Sequence, residues 1–211
     1  MNLEDFRREY LAGGLTHPEL NESPFEQFEH WMNQALEVGI KDPTAMVLAT
    51  VSDSGQPSQR IVLLKGFDEN GFVFYTNYGS NKALEMSINL KVCVLFPWHQ
   101  LDRQIKIEGR VEKVPIEQSA KYFATRPRES QLAAWASDQS QVIPSRAALM
   151  EELEKLEAQF EGKDVPLPEN WGGYRIIPVE FEFWQGGAHR LHDRFTYTLE
   201  DGSWVIRRLA P

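Results

Sequence analysis

The chain has 211 residues with 42% hydrophobic and 25% charged side chains, an ordinary globular composition that leaves little room for extended disorder. Its net charge of −9 argues against a protein that coats nucleic acid. Cys93 is the only cysteine, which excludes an internal disulfide and fits a reducing compartment.

The charged N-terminus MNLEDFRREY has no apolar core of a secretory signal, and no apolar run approaches a membrane span, so a soluble, cytoplasmic protein is expected. Residues 1–24 read as a partly irregular, partly mobile segment, and 25–211 as one domain. Phe25, Phe28, Met32 and Leu36 have helical spacing, ended by Gly39. TAMVLATV (44–51), QRIVLLKGF (59–67) and FVFYT (72–76) read as three strands of an antiparallel meander, joined by the turns SDSGQP and DENG. Ser80 is placed to cap a short helix through Met86. KVCVLF (91–96) reads as a strand stopped by Pro97, with Cys93 a buried core thiol.

RQIKIEGRVEKV (103–114) alternates, with Ile105, Ile107 and Val111 on one face and Gln104, Lys106, Glu108, Arg110 and Glu112 on the other. Pro115 opens a helix to about Thr125 and Pro127 opens another. Leu149, Leu153, Leu156 and Phe160 stripe a helix over 146–161 that also carries Glu151, Glu152, Glu154, Glu157 and Glu161. KDVPLPENWGG is a loop. RIIPVEFEFW, HRLHDRFTYTL and SWVIRRL are strands, the last two joined through Asp201-Gly202. About eight strands with few helices predict a mainly β protein with helices, a closed antiparallel barrel.

The segment WQGGAHRLHDRF (184–195) gathers two histidines, two arginines and an aspartate. Read as a strand, it puts Arg190, His192 and Arg194 on one face and His189 and Asp193 on the other. That separates the histidines and sets arginines beside His192, so no metal site is expected. A solvated charged face and an anion site both remain open for this stretch. Two further cation groups accompany it. Tyr122 and Arg126 lie four apart with Ser130 at the start of the next helix, and Arg60 and Lys65 bracket the apolar run RIVLLK. Cation clusters on an acidic chain favour a small anionic ligand over a polyanion.

These stretches together resemble the pyridoxine/pyridoxamine 5'-phosphate oxidases. RIVLLK, FYTNYGS-K, LFPW, RPRESQLAAWAS-QS, PLP-NWGG-R, EFWQGG-HRLHDRF and the terminal RLAP carry the resemblance, which runs from about Arg7 to Pro211. It implies an antiparallel split β-barrel that binds FMN and a homodimer with active sites at the subunit interface. The implied reaction oxidises pyridoxine 5'-phosphate or pyridoxamine 5'-phosphate to pyridoxal 5'-phosphate, reduces dioxygen to hydrogen peroxide, and releases ammonia from the amine.

Residue by residue, the resemblance implies FMN contacts at Arg60, Ile61, Val62, Leu63, Leu64, Lys65, Tyr75, Thr76, Asn81, Lys82, Gln104, Gln139, Ser140, Trp184 and Arg194. Leu63, Leu64 and Trp184 would pack around the isoalloxazine. The substrate phosphate falls to Lys65, Tyr122, Arg126 and Ser130, the pyridine ring to the catalytic pair Arg190 and His192, and a covering segment to Arg7, Arg8 and Tyr10. The family often has arginine where this chain has Asn81, whose amide can hydrogen-bond a phosphate but brings no charge. Competing readings are another split-barrel flavin oxidoreductase, such as a flavin reductase or a deazaflavin-dependent enzyme, and a non-enzymatic carrier of vitamer phosphates. The block Tyr122, Arg126, Ser130, Arg190 and His192 separates the first from the family, and the colour of the purified protein separates the second.

Overall fold

A computed structural model describes residues 3, 9–10 and 13–211. Helix α1 (Pro24–Glu37) starts at Ser23, whose hydroxyl accepts from the Glu26 amide. Strands β1 (Ala45–Val51), β2 (Pro57–Leu63), β3 (Gly66–Asp68) and β4 (Gly71–Asn77) follow, then α2 (Asn81–Ile88), β5 (Lys91–Trp98) and β6 (Arg103–Lys113). Three helices, α3 (Ile116–Ala124), α4 (Arg128–Ala136) and α5 (Arg146–Gln159), precede β7 (Trp171–Gln185), β8 (Asp193–Glu200) and β9 (Ser203–Leu209).

The nine strands form one antiparallel sheet in the order β2-β1-β5-β6-β7-β4-β3, with β8 and β9 continuing from β7. The two ends of that order are consecutive in the chain. Between β2 and β3, the Leu64 amide donates to Thr44 beside β1, and the Lys65 amide donates to Val73 in β4. One stretch of chain therefore stitches both edges and curls the sheet into a split barrel. The expected three-strand meander forms with a break: the predicted second strand splits at Leu64 and Lys65 into β2, which pairs with β1, and β3, which pairs with β4, while the other edge of β4 pairs with β7.

α1 lays its apolar face into the barrel. The Phe28 ring centroid lies 4.9 Å from those of Phe67 and Phe72 and 5.1 Å from that of Phe96. Burying an aromatic of this size contributes roughly 2–3 kcal/mol. A second apolar cluster of Phe123, Leu132, Leu156, Phe160, Val165 and Trp171 joins α3, α4 and α5 to the start of β7.

Several local expectations are corrected. Pro97 does not stop β5, which runs on to Trp98. Pairing with β1 ends at Leu95, so no ladder partner needs the amide that proline lacks. Cys93 is only half-buried, and burial raises its thiol pKa. Ser80 is the N-cap residue of α2 as expected, but its hydroxyl makes no capping hydrogen bond and donates to the Asn77 carbonyl, and the helix continues to Ile88. The strand predicted from Arg175 starts at Trp171. Gly172 and Gly173 belong to it through pairing with Thr76 and Tyr75 of β4, and glycine is required there because a Cβ at either would collide with Tyr78 or Tyr75. The turn at Asp201 and Gly202 forms as expected, both with positive φ.

The largest correction concerns residues 188–192. Ala188–Arg190 is a single 3-10 turn, with φ of 54° at His189 and 64° at Arg190, and β8 begins only at Asp193. Alternation along a strand therefore does not describe Arg190 and His192. Gly187 allows the turn, since a Cβ there would sit 2.3 Å from the Leu191 carbonyl oxygen. Among the described residues no group of three histidine, cysteine, aspartate or glutamate side chains gathers as metal ligands would.

Candidate functional site

The sequence-predicted residues fall into two groups on this chain. The first lines a cavity of about 990 Å³ between the open side of the barrel and the helical layer. β2 and the step after it bring Arg60, Ile61, Val62, Leu63 and Lys65. β4 brings Tyr75 and Thr76, the first turn of α2 brings Asn81 and Lys82, and α3 and α4 bring Tyr122, Arg126 and Ser130. Gln139 and Ser140 arrive on the loop after α4. Leu64 does not line it: strand alternation turns that side chain into the barrel core, where it is 4% exposed. The same alternation leaves Ile61 and Leu63 exposed, so RIVLLK is an edge strand with one open face, not a fully buried one.

Two cationic ends are built differently. At the α2 end, Lys82 Nζ donates to Thr76 Oγ1 at 3.1 Å, Ser80 Oγ at 3.2 Å and Gln139 Oε1 at 2.9 Å. Burial and the nearby Arg60 charge lower the Lys82 pKa to about 8, against the opposing pull of Glu85. Arg60 is held by Thr50, by Ser58 Oγ at 2.5 Å and by Glu85 Oε2 at 3.3 Å. Burial opposes ionisation of Glu85, but hydrogen bonds from Thr50 and Ser58 and the Arg60 charge hold its pKa below the usual carboxylate range.

At the α4 end, Arg126 lies 4.8 Å from the Trp171 ring centroid, and burial lowers its pKa. Its Nη1 is buried and has no hydrogen-bond partner among the described residues. A buried guanidinium N–H without an acceptor is costly unless a ligand supplies one. Tyr75, Tyr122 and Trp171 form a stack beside it, with 4.0 Å between the Tyr75 and Tyr122 centroids and 5.5 Å between Tyr75 and Trp171. Burial raises the pKa of both tyrosines, so both phenols stay protonated donors near neutrality.

The second group lies across β6, β7 and β8. The strand register sets Gln104 opposite Trp184 and Trp184 opposite Arg194, one row on the face away from the barrel core. The His192 ring centroid lies 4.6 Å from that of Trp184, and Tyr10 meets both rings edge-on. The Gly187 amide donates to His192 Nδ1 at 3.1 Å. A backbone N–H can only donate, so the neutral ring carries its proton on Nε2 and presents a donor outward. Arg190 is exposed on the turn beside it. Arg7 and Arg8 lie outside the described residues.

Sequence reasoning missed Trp171, Asn77, Thr125 and Ser137 in the cavity, Glu85 behind its Arg60, and Glu182 behind Arg194 of the second group. The tryptophan had a usable signal: it opens NWGG, where two glycines admit the Tyr75 and Tyr78 rings.

A split barrel with a large cavity, cationic at two separate helix starts and lined by stacked aromatics, defines a class of proteins that hold phosphorylated aromatic ligands. Two family models cover most of the chain: pyridoxamine 5'-phosphate oxidase over residues 32–160, and the pyridoxine 5'-phosphate oxidase C-terminal dimerisation region over 171–211. The chain belongs to the pyridoxamine 5'-phosphate oxidase family. It is 58% identical over its whole length to the full pyridoxine/pyridoxamine 5'-phosphate oxidase of Teredinibacter turnerae. It is 54% identical, again over both whole chains, to that of Pseudoalteromonas translucida. The crystal structure of PhzG from Burkholderia lata 383 in complex with tetrahydrophenazine-1-carboxylic acid superposes with a TM-score of 0.87 at 28% identity, covering 92% of this chain and 95% of that one.

Proposed function

We propose that the protein is an FMN-dependent oxidase that converts pyridoxine 5'-phosphate and pyridoxamine 5'-phosphate to pyridoxal 5'-phosphate and works as a homodimer. The observation that carries this reading is the unmatched Nη1 of Arg126 at the α4 end of the cavity, within a chain that matches named oxidases over its full length.

The residues present fit FMN and a second phosphate. A dianion at the α2 end would meet Lys82, Asn81, Arg60 and the first amides of the helix. A second would meet Arg126, Lys65, Tyr122 and Ser130 at the α4 end. Ile61 and Leu63 offer exposed apolar surface between them. Bound FMN would supply the two-electron acceptor for the substrate C4′ position and pass the electrons to dioxygen. The protein's own part is orientation: it fixes two phosphates and the pyridine ring so that the reacting carbon approaches the flavin in one geometry.

The second group completes this site from the partner subunit. Trp171 and Trp184 sit at the two ends of β7, so about 40 Å of strand separates the cavity from the Gln104–Trp184–Arg194 row. In a two-fold dimer the row of one protomer can face the cavity of the other. Gln104, Trp184 and Arg194 would then serve the flavin, with Arg190 and the His192 Nε2–H at the substrate ring. Residues 25–211 would act as one domain, with Arg7, Arg8 and Tyr10 covering the site. Among the described residues no helix is long and apolar enough to cross a membrane. We place the protein in the cytoplasm because its one cysteine calls for no oxidising compartment.

Purification tests the reading. The protein should be yellow, release FMN on acid denaturation, and consume oxygen with both phosphorylated vitamers. A colourless protein that takes up no added FMN would refute it. Turnover of flavin alone with a nicotinamide donor would favour the flavin-reductase reading.

A further inference from the structure

Arg194 stands in the row Gln104–Trp184–Arg194, and two residues along each strand lies a second row on the same face: Lys106, Glu182 and Thr196. The guanidinium reaches diagonally between rows. Its Nε donates to Glu182 Oε1 at 2.7 Å. Its Nη1 donates to the Ala210 carbonyl at 2.9 Å. That carbonyl is in place because Arg194 pairs with Leu209, the last residue of β9. Nη2 makes no hydrogen bond among the described residues. The carboxylate is itself restrained: Glu182 Oε2 lies 3.6 Å from Lys106 Nζ, which also holds Glu108 at 2.8 Å and Glu180 at 3.6 Å. Glu182 is only 12% exposed, so this is a shielded pair and not a loose surface contact.

We infer that Glu182 and the Ala210 carbonyl are positioning groups that fix two edges of the Arg194 guanidinium and leave Nη2 as the single edge offered to the flavin. This rests on the reading that Arg194 serves the flavin. A role for Ala210 follows from it: its carbonyl stops the arginine from swinging away from the row. Arginine presents its donors in a rigid planar fork, so fixing two edges fixes the third. Glu182 also neutralises part of the arginine's charge, so the contact works through aim more than through net attraction. A neutral residue that keeps an acceptor oxygen at the same place should therefore do most of its work.

The test is flavin retention by the purified full-length holoprotein, followed as released flavin fluorescence on dilution, with thermal melting in parallel. Glu182→Ala should loosen FMN by about ten-fold, as when one charge-assisted contact slackens. Glu182→Gln should recover most of that loss. A chain ending at Leu209 should lose flavin in the same direction, with the melting temperature of the flavin-free protein unchanged. If Glu182→Ala fails to fold, the shortened chain carries the test. Wild-type retention in Glu182→Ala, or in the shortened chain, overturns the inference. Equal loosening in the Gln and Ala variants overturns it as well, because charge and not aim would then be the cause. Arg194→Ala is measured alongside. Should it keep flavin like the wild type, the assignment of Arg194 to the flavin fails, and the inference falls with it.

Discussion

Trp171 and Trp184 occupy the two ends of one strand, the first against the Tyr75–Tyr122 stack in the cavity and the second under His192. β7 is paired with β4 and β6 around the first and with β6 and β8 around the second, which places the two tryptophans at opposite ends of the ladder. The proposed site is thus two half-sites carried at the two ends of one strand.

Arg126 gives the plainest substitution. Its buried Nη1 has no acceptor among the described residues, so a substrate phosphate bound there would gain a preformed donor. Arg126→Ala should raise KM for pyridoxine 5'-phosphate by about ten- to a hundred-fold, the cost of one charge-assisted contact. Steady-state kinetics checks this, and an unchanged KM removes Arg126 from the phosphate site.

With Lys82 at the proposed flavin phosphate, flavin binding should depend on pH. Its pKa of about 8 lies below the ordinary lysine value, so the free folded chain loses this proton near pH 8 while the unfolded chain keeps it to higher pH. Between those values the unfolded state binds more protons, and the stability of the free chain rises with pH. Affinity for a phosphate dianion runs the other way and falls as pH passes about 8. Titrating FMN release across this range should show that fall, and Lys82→Gln should flatten it.

Gly173 controls the stack. A Cβ there would lie 2.7 Å from Tyr75 Cε1 and 2.7 Å from Val114 Cγ2. Gly173→Ala should push Tyr75 off Tyr122, cost about 1–3 kcal/mol of stability, and weaken flavin retention. A melting curve and a flavin-release assay read both effects. A variant equal to the wild type in both would show that the stack tolerates displacement.

The two arginines flanking His192 should separate. Arg194→Ala should release flavin, while Arg190→Met should keep flavin and lower kcat/KM, because a side chain of similar length loses the charge set against the pyridine ring. Flavin content and kinetics on the same preparations decide it. Loss of flavin in Arg190→Met would break the division of roles.

Most strands were readable because apolar alternation such as Ile105, Ile107 and Val111 has one structural solution. The order in which strands pair was not, because β4 pairs with β7 across about a hundred residues and nothing local records it. Pro97 misled because a proline stops a strand only where its missing amide is needed. The turn at His189 and Arg190 misled more. Two non-glycine residues take positive φ there, and their sequence gives no sign of it. The site's cations were legible as clusters, whereas Glu85 beside Arg60 in the cavity and Glu182 beside Arg194 in the row look like ordinary surface acids until the fold sets them against arginine.

The central claim is that each site draws its cavity from one subunit and its Gln104–Trp184–Arg194 row from the other. Mixing two impaired variants tests it, with activity read at low substrate and without added FMN. Arg126→Ala damages only the cavity half, and Arg194→Ala only the row half. After subunit exchange, half of the dimers are mixed, and each mixed dimer holds one site built wholly from undamaged halves. Activity should return to about one quarter of wild type on random exchange between symmetric subunits. If subunit exchange is confirmed and the mixture gains no activity over the separate variants, each site lies within a single chain and the account is wrong.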